Sequence, residues 1–313
     1  MEEYKNTAFA GSYRHAPTAA AIVKLIRPHH WVKNLFMFVP LFFAGEFFNL
    51  LKIGWIFAGF VAFSLVASSI YVINDYRDAE ADRLHPEKAS RPIASGEVSK
   101  TLAIWLFLGL FLSGFGISLL LEPKFVFILG LYFVINLAYS FGLKHISIVD
   151  VFLVSLGFLL RIRAGGALGD VHVSEWLSIM VFLLALFMAF GKRRDDLILQ
   201  KDSNRSLRKS VKDYNLDFLT SAMTLITAVS LVAYLMYTAS PAVNQQFGTH
   251  RLYHTFWFVL AGVLRYFQII YVVNDSGSPT KILYKDYFMH ACLLLWALSF
   301  FVIIYFPDIK IFD

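Results

Sequence analysis

Cysteine is almost missing from this chain. The single thiol, Cys292, lies in an apolar run, which excludes an intrachain disulfide framework and a cysteine-based zinc site. Charge is scarce too: Asp, Glu, Lys and Arg make up 16% of 313 residues and 58% are hydrophobic, whereas soluble chains carry about 25% charge. Short-period repeats and low-complexity tracts are lacking, and the first 26 residues have neither a long apolar stretch nor a cleavage site, so no removable signal peptide is expected. So much apolar surface exceeds what a finite core can hold. Lipid is the medium that accepts it.

Nine stretches are long enough to cross about 30 Å of hydrocarbon: 31–51, 53–73, 101–121, 125–141, 147–168, 175–191, 217–239, 252–273 and 287–306. Breaks fall at Glu122-Pro123, Gly142 to His145, Gly169-Asp170, Ser240-Pro241 and Ser276 to Pro279. Only helices or closed barrels satisfy their backbone groups in lipid, and stretches of this length point to helices. Of the 28 Lys and Arg residues, 21 fall on one side of these spans, four on the other and three inside. That asymmetry predicts a cytosolic amino terminus and, with nine spans, an external carboxyl terminus. The predicted fold is an all-α integral membrane protein with nine transmembrane helices. Residues 1–26 read as a cytosolic segment and 27–313 as a single transmembrane catalytic domain.

The second span ends in Asn74-Asp75-Tyr76-Arg77-Asp78-Ala79-Glu80-Ala81-Asp82. On a helix, Asn74, Asp78, Asp82 and Asp75 fall within an arc of about 100°, and Glu80 points the other way. Carboxylates stacked on one face repel unless a cation sits among them. Magnesium suits that place, because it takes oxygen ligands and bridges one or two carboxylates to substrate phosphates. Manganese would accept the same donors. The blander reading is a solvated helix end whose acids pair with Arg77 and Arg83.

This acidic motif at the cytosolic end of a second span resembles the UbiA-type intramembrane prenyltransferase superfamily. Arg27-Pro28-His29-His30-Trp31-Val32-Lys33-Asn34, Arg91-Pro92-Ile93-Ala94-Ser95-Gly96, Tyr139 to His145, Gly157 to Arg161 and Gly191-Lys192-Arg193 sharpen the resemblance toward its decaprenyl-phosphate phosphoribosyltransferase branch. The resemblance implies helices around a cytosol-facing central cavity in a bacterial inner membrane. It also implies transfer of a phosphoribosyl group from phosphoribosyl diphosphate to a polyprenyl phosphate, with release of diphosphate, for cell-envelope synthesis. Asp75, Asp78 and Asp82 would be the catalytic and metal residues. Asn74, Lys33, Tyr139, Lys144, Arg161, Lys192 and Arg193 would bind substrate.

A second acidic box follows the sixth span in most members of that superfamily. Here the position reads Lys192-Arg193-Arg194-Asp195-Asp196, and a DxxxD appears only later, at Asp213 to Asp217, where it reads as a chance occurrence. A ribose phosphate and a lipid phosphate both call for Lys and Arg, so the basic run favours phosphoribosyl transfer. The alternatives are prenyl transfer to an aromatic or other small acceptor, and a transporter. Arg161, deep in the fifth span, reads equally as a phosphate ligand or a brace between helices. Arg163 reads as snorkelling, and Arg265 as internally paired. Membrane lipids are expected partners and nucleic acid is not. A homo-oligomer is compatible with all of this.

Overall fold

A computed structural model describes residues 18–84, 88–202, 213–272, 282 and 285–306, with no side chains described for 199–202. All regular elements there are helical. α1 is Ala19–Ile26 and a 3-10 helix covers Pro28–Phe38. There follow α2 (Val39–Phe43), α3 (Leu50–Arg83), α4 (Lys100–Ser118), α5 (Pro123–Ser140), a 3-10 turn at Leu143–His145, α6 (Val149–Gly169) and α7 (Glu175–Asp202). The rest are α8 (Leu216–Ala239), α9 (Pro241–Phe247), a 3-10 turn at Arg251–Thr255, α10 (Phe256–Tyr271) and α11 (Tyr287–Tyr305).

Local sequence explains many of the ends. The Asn215 and Asp286 side chains accept from the Phe218 and Met289 amides and start α8 and α11. Pro123 and Pro241 stand in the first turns of α5 and α9, where no amide partner is needed.

Among the described residues, seven helices are long and apolar enough to cross a membrane. The chain is a multi-pass membrane protein. Large apolar side chains such as Trp105, Leu112 and Leu294 face outward, as lipid contact requires. The first and eighth predicted spans differ from the other seven. The first is the 3-10 segment followed by the five-residue α2, and the eighth is the 3-10 turn followed by the 16-residue α10.

The residues fall into two compact units, one within 1–32 and 62–116 and one within 33–61 and 117–313. In the first unit, Ala21, Leu25, Val72, Ala79, Ile93 and Val98 form a closed core beneath the end of α3. In the second, α6 packs against α5, α7 and α2, α7 against α8, and α10 against α8 and α11. Glycines set the closest of these approaches. A Cβ on Gly165 would lie 1.8 Å from the Met37 carbonyl oxygen, so α6 meets the main chain of the 3-10 segment directly. On that segment and its continuation into α2, Asn34, Met37 and Pro40 are all buried. Their spacing is three, the period of a 3-10 helix.

Candidate active site

Arg27 carries the first surprise. It caps α1 in a left-handed conformation, φ 58°, that non-glycine residues seldom adopt. From there its Nη2 donates to both Asp75 oxygens at 2.7 Å. Arg91, just before Pro92, reaches the same helix face. Its Nη1 donates to Asp75 Oδ1 at 3.0 Å and to Asp82 Oδ2 at 2.8 Å. Both carboxylates are buried, at 2% and 4% exposure. Lys24 and Arg83 donate to the Ser90 and Ala94 carbonyls and fix the flanks of the segment between them. Asp75 and Asp82 are therefore neutralised by Arg27 and Arg91.

Asn74 and Asp78 are half-buried on the same stretch of α3. Among the described residues no three His, Cys, Asp or Glu side chains stand close enough to form a metal centre. Asp75, Asp78 and Asp82 are thus not a closed three-carboxylate cage; one guanidinium nitrogen sits between two of them. The donor set still fits magnesium. It is oxygen-only, two carboxylates already converge on a single positive nitrogen, and magnesium asks for no more than one or two carboxylates when phosphate oxygens and water complete its shell.

In the second unit, Arg161 is buried at 5% exposure. Nε donates to Asn34 Oδ1 at 2.8 Å, Nη1 to the Gly157 carbonyl at 2.8 Å and Nη2 to Tyr132 Oη at 3.0 Å. Its guanidinium carbon lies 4.9 Å from the Tyr132 ring centroid. Gly157 leaves room for it, since a Cβ there would stand 3.2 Å from Nη1.

Arg193 is also buried. Its Nε and Nη2 lie 2.9 and 2.7 Å from Asp150 Oδ2, and Asp150 is wholly shielded from solvent. Lys192 beside it is exposed, and Lys33, Lys144 and Tyr139 are half-buried. Arg265 pairs with Asp286 at 2.7 Å, as its sequence context suggested. That contact holds the Asp286 carboxyl below the ordinary carboxylate range. A cavity of about 1080 Å³ in this unit is lined by Lys52, Trp55, Lys124, Arg163 and His172, and by none of the predicted site residues.

Residues 35–199 match the model of the UbiA prenyltransferase family. This chain belongs to the UbiA prenyltransferase family. Among UbiA relatives, decaprenyl-phosphate phosphoribosyltransferase of Mycolicibacterium smegmatis is 33% identical over 296 residues, covering 92% of this chain and 93% of that protein. The enzyme of the same name from Corynebacterium glutamicum is 30% identical, over 92% of this chain and 87% of its own. In fold, a UbiA homologue from Archaeoglobus fulgidus bound to GPP and Mg2+ superposes with a TM-score of 0.66 at 18% identity, covering 91% of this chain and 99% of that one.

Arg27 and Arg91 are what the sequence reading missed. Each stands in an Arg-Pro pair at the head of a quoted motif. That shared Arg-Pro pairing was the available signal.

Proposed function

We propose that this protein transfers a 5-phosphoribosyl group from phosphoribosyl diphosphate to a polyprenyl phosphate of the decaprenyl type and releases diphosphate. The observation that carries this reading is the 33% identity to a decaprenyl-phosphate phosphoribosyltransferase across 92% of the chain. The bond between the ribose anomeric carbon and the diphosphate oxygen breaks as a lipid phosphate oxygen bonds to that carbon. The acceptor is already an anion, so no side chain has to remove a proton. Catalysis rests on positioning and charge.

Asp75 and Asp82, with Asp78 and Asn74 beside them, would hold magnesium. When bound, the metal supplies charge neutralisation for the departing diphosphate. Arg27 and Arg91 aim the two buried carboxylates and offset their charge, and Arg91 would yield its place between them to the metal. Lys33, Lys144 and Lys192 supply positive charge for the ribose phosphate and the lipid phosphate, with Tyr139 alongside. Arg161 braces them through Asn34 and Tyr132, and Arg193 acts through Asp150.

Nine crossings belong to this reading. At about 2 Å per residue the 3-10 segment rises about 22 Å, and α2 adds about 8 Å, which together match the hydrocarbon thickness. The 3-10 turn at Arg251–Thr255 extends α10 to about 34 Å by the same arithmetic. The catalytic domain runs from residue 27, with the amino terminus and the site in the cytosol of a bacterial inner membrane. The product serves cell-envelope lipid-linked sugar synthesis.

The test is diphosphate release by the purified protein with magnesium, using phosphoribosyl diphosphate plus decaprenyl phosphate in one arm and a prenyl diphosphate plus an aromatic acid in the other. Release in the first arm alone is expected. Release in the second alone would replace this reading by prenyl transfer, and release in neither would end both.

A further inference from the structure

The turn between α5 and α6, which carries Lys144, is held in a costly shape. Ile148 caps α6 with φ 68° and ψ −50°, a region closed to β-branched residues in ordinary backbone. Such strain persists only where the surroundings impose it. Here they come from the segment just before α8, more than 60 residues along the chain. The Ile148 amide donates to the Tyr214 hydroxyl. Ser147 Oγ donates to Asp213 Oδ2 at 2.7 Å, so the DxxxD that read as chance has its first acid in use. Tyr214 in turn donates toward Asp150 Oδ1 at 3.4 Å, and Asp150 holds Arg193 on its other oxygen. The Tyr214 ring stacks on Phe218, with centroids 5.7 Å apart and planes 7° apart, and meets Phe190 edge-on.

We infer that Tyr214 is a positioning residue: its hydroxyl, seated on the buried Asp150–Arg193 pair, pins the strained Ile148 and thereby sets where Lys144 presents its ammonium to a substrate phosphate. The hydroxyl accepts from the turn and donates to the pair, so it must stay protonated. Burial favours this by pushing the phenol above its ordinary range. The inference rests on the proposed role of Lys144, and its test separates the two.

Tyr214→Phe removes the hydroxyl and keeps the ring packing, so the protein should fold. Two readouts are taken on full-length protein in detergent: amide hydrogen exchange over 142–149, and KM and kcat for phosphoribosyl diphosphate at saturating magnesium. Expected are exchange about tenfold faster at Ile148 and a KM raised about tenfold, with kcat within about twofold. Glycine accepts a positive φ without strain, so Ile148→Gly in the Tyr214→Phe background should return KM to within about threefold of wild type. A merely structural hydroxyl would show no such rescue. Unchanged exchange in Tyr214→Phe overturns the latch, and faster exchange with unchanged KM overturns its link to substrate. A wild-type protein that lacks phosphoribosyl transfer sinks the functional reading instead, while the exchange result still judges the latch.

Discussion

Two buried aspartates in this protein meet arginine in different ways. Asp75 is enclosed at 2% exposure, but its partners Arg27 and Arg91 have side chains 19% and 26% exposed and reach it from the rim. Asp150 is fully enclosed, and Arg193 is enclosed with it at 4%. The first arrangement leaves a path by which another cation can displace a guanidinium. The second leaves none, because withdrawing Arg193 would deprive a fully buried carboxylate of its counter-charge. Exchangeable charge marks a site where ligands come and go, and locked charge marks a scaffold.

The sharpest way to break that distinction is Asp150→Asn. It removes the buried counter-charge of Arg193, leaving Asp196 Oδ2 at 3.7 Å, and should cost about 3 kcal/mol, seen as a fall in folded yield and thermal midpoint in detergent. A stable, active Asp150→Asn protein would erase the difference between the two pairs. Next in size, Asp78→Ala should lower magnesium-dependent turnover at least about a hundredfold and leave the thermal midpoint near wild type. Loss of folding instead would make the acidic helix end a scaffold too.

Arg91→Gln sharpens the exchange itself. Removing the competing cation should lower the half-saturating magnesium concentration by about three- to tenfold, measured by titrating diphosphate release. A rise would mean that Arg91 serves the diphosphate more than it competes with the metal. Smallest is the half-buried reference pair, Arg265–Asp286. Its carboxyl is depressed below the ordinary value of 3.8, so the stability it adds is complete above about pH 4 and is lost as pH falls through the depressed value. Asp286→Asn should shift the thermal midpoint by about 1–2 °C at pH 7, with the difference vanishing in acid.

The reach of the sequence follows from where its signals are local. Hydropathy located the long helices because each is a continuous apolar run. The spacing of three and then four residues put Asp75, Asp78 and Asp82 on one stretch of α3. Pairings across the chain left no such trace. Arg27 meets Asp75 48 positions away, Arg193 meets Asp150 43 away, and the Tyr214 hydroxyl meets Ile148 66 away. Periodicity carries no information about such contacts. The first span begins differently from the others for another reason: residues 28–38 wind as a 3-10 helix, and apolar content alone does not distinguish that winding from an ordinary α-helix.

That winding limits how the segment can change length. Three residues added between Pro28 and Phe38 would return every later side chain to its own edge and lengthen the rod by about 6 Å, whereas four would turn Met37 out of its seat by about a third of a revolution. Insertions and deletions that survive in related chains should therefore come in triplets here, in contrast to the three-or-four alternation that an ordinary helix tolerates.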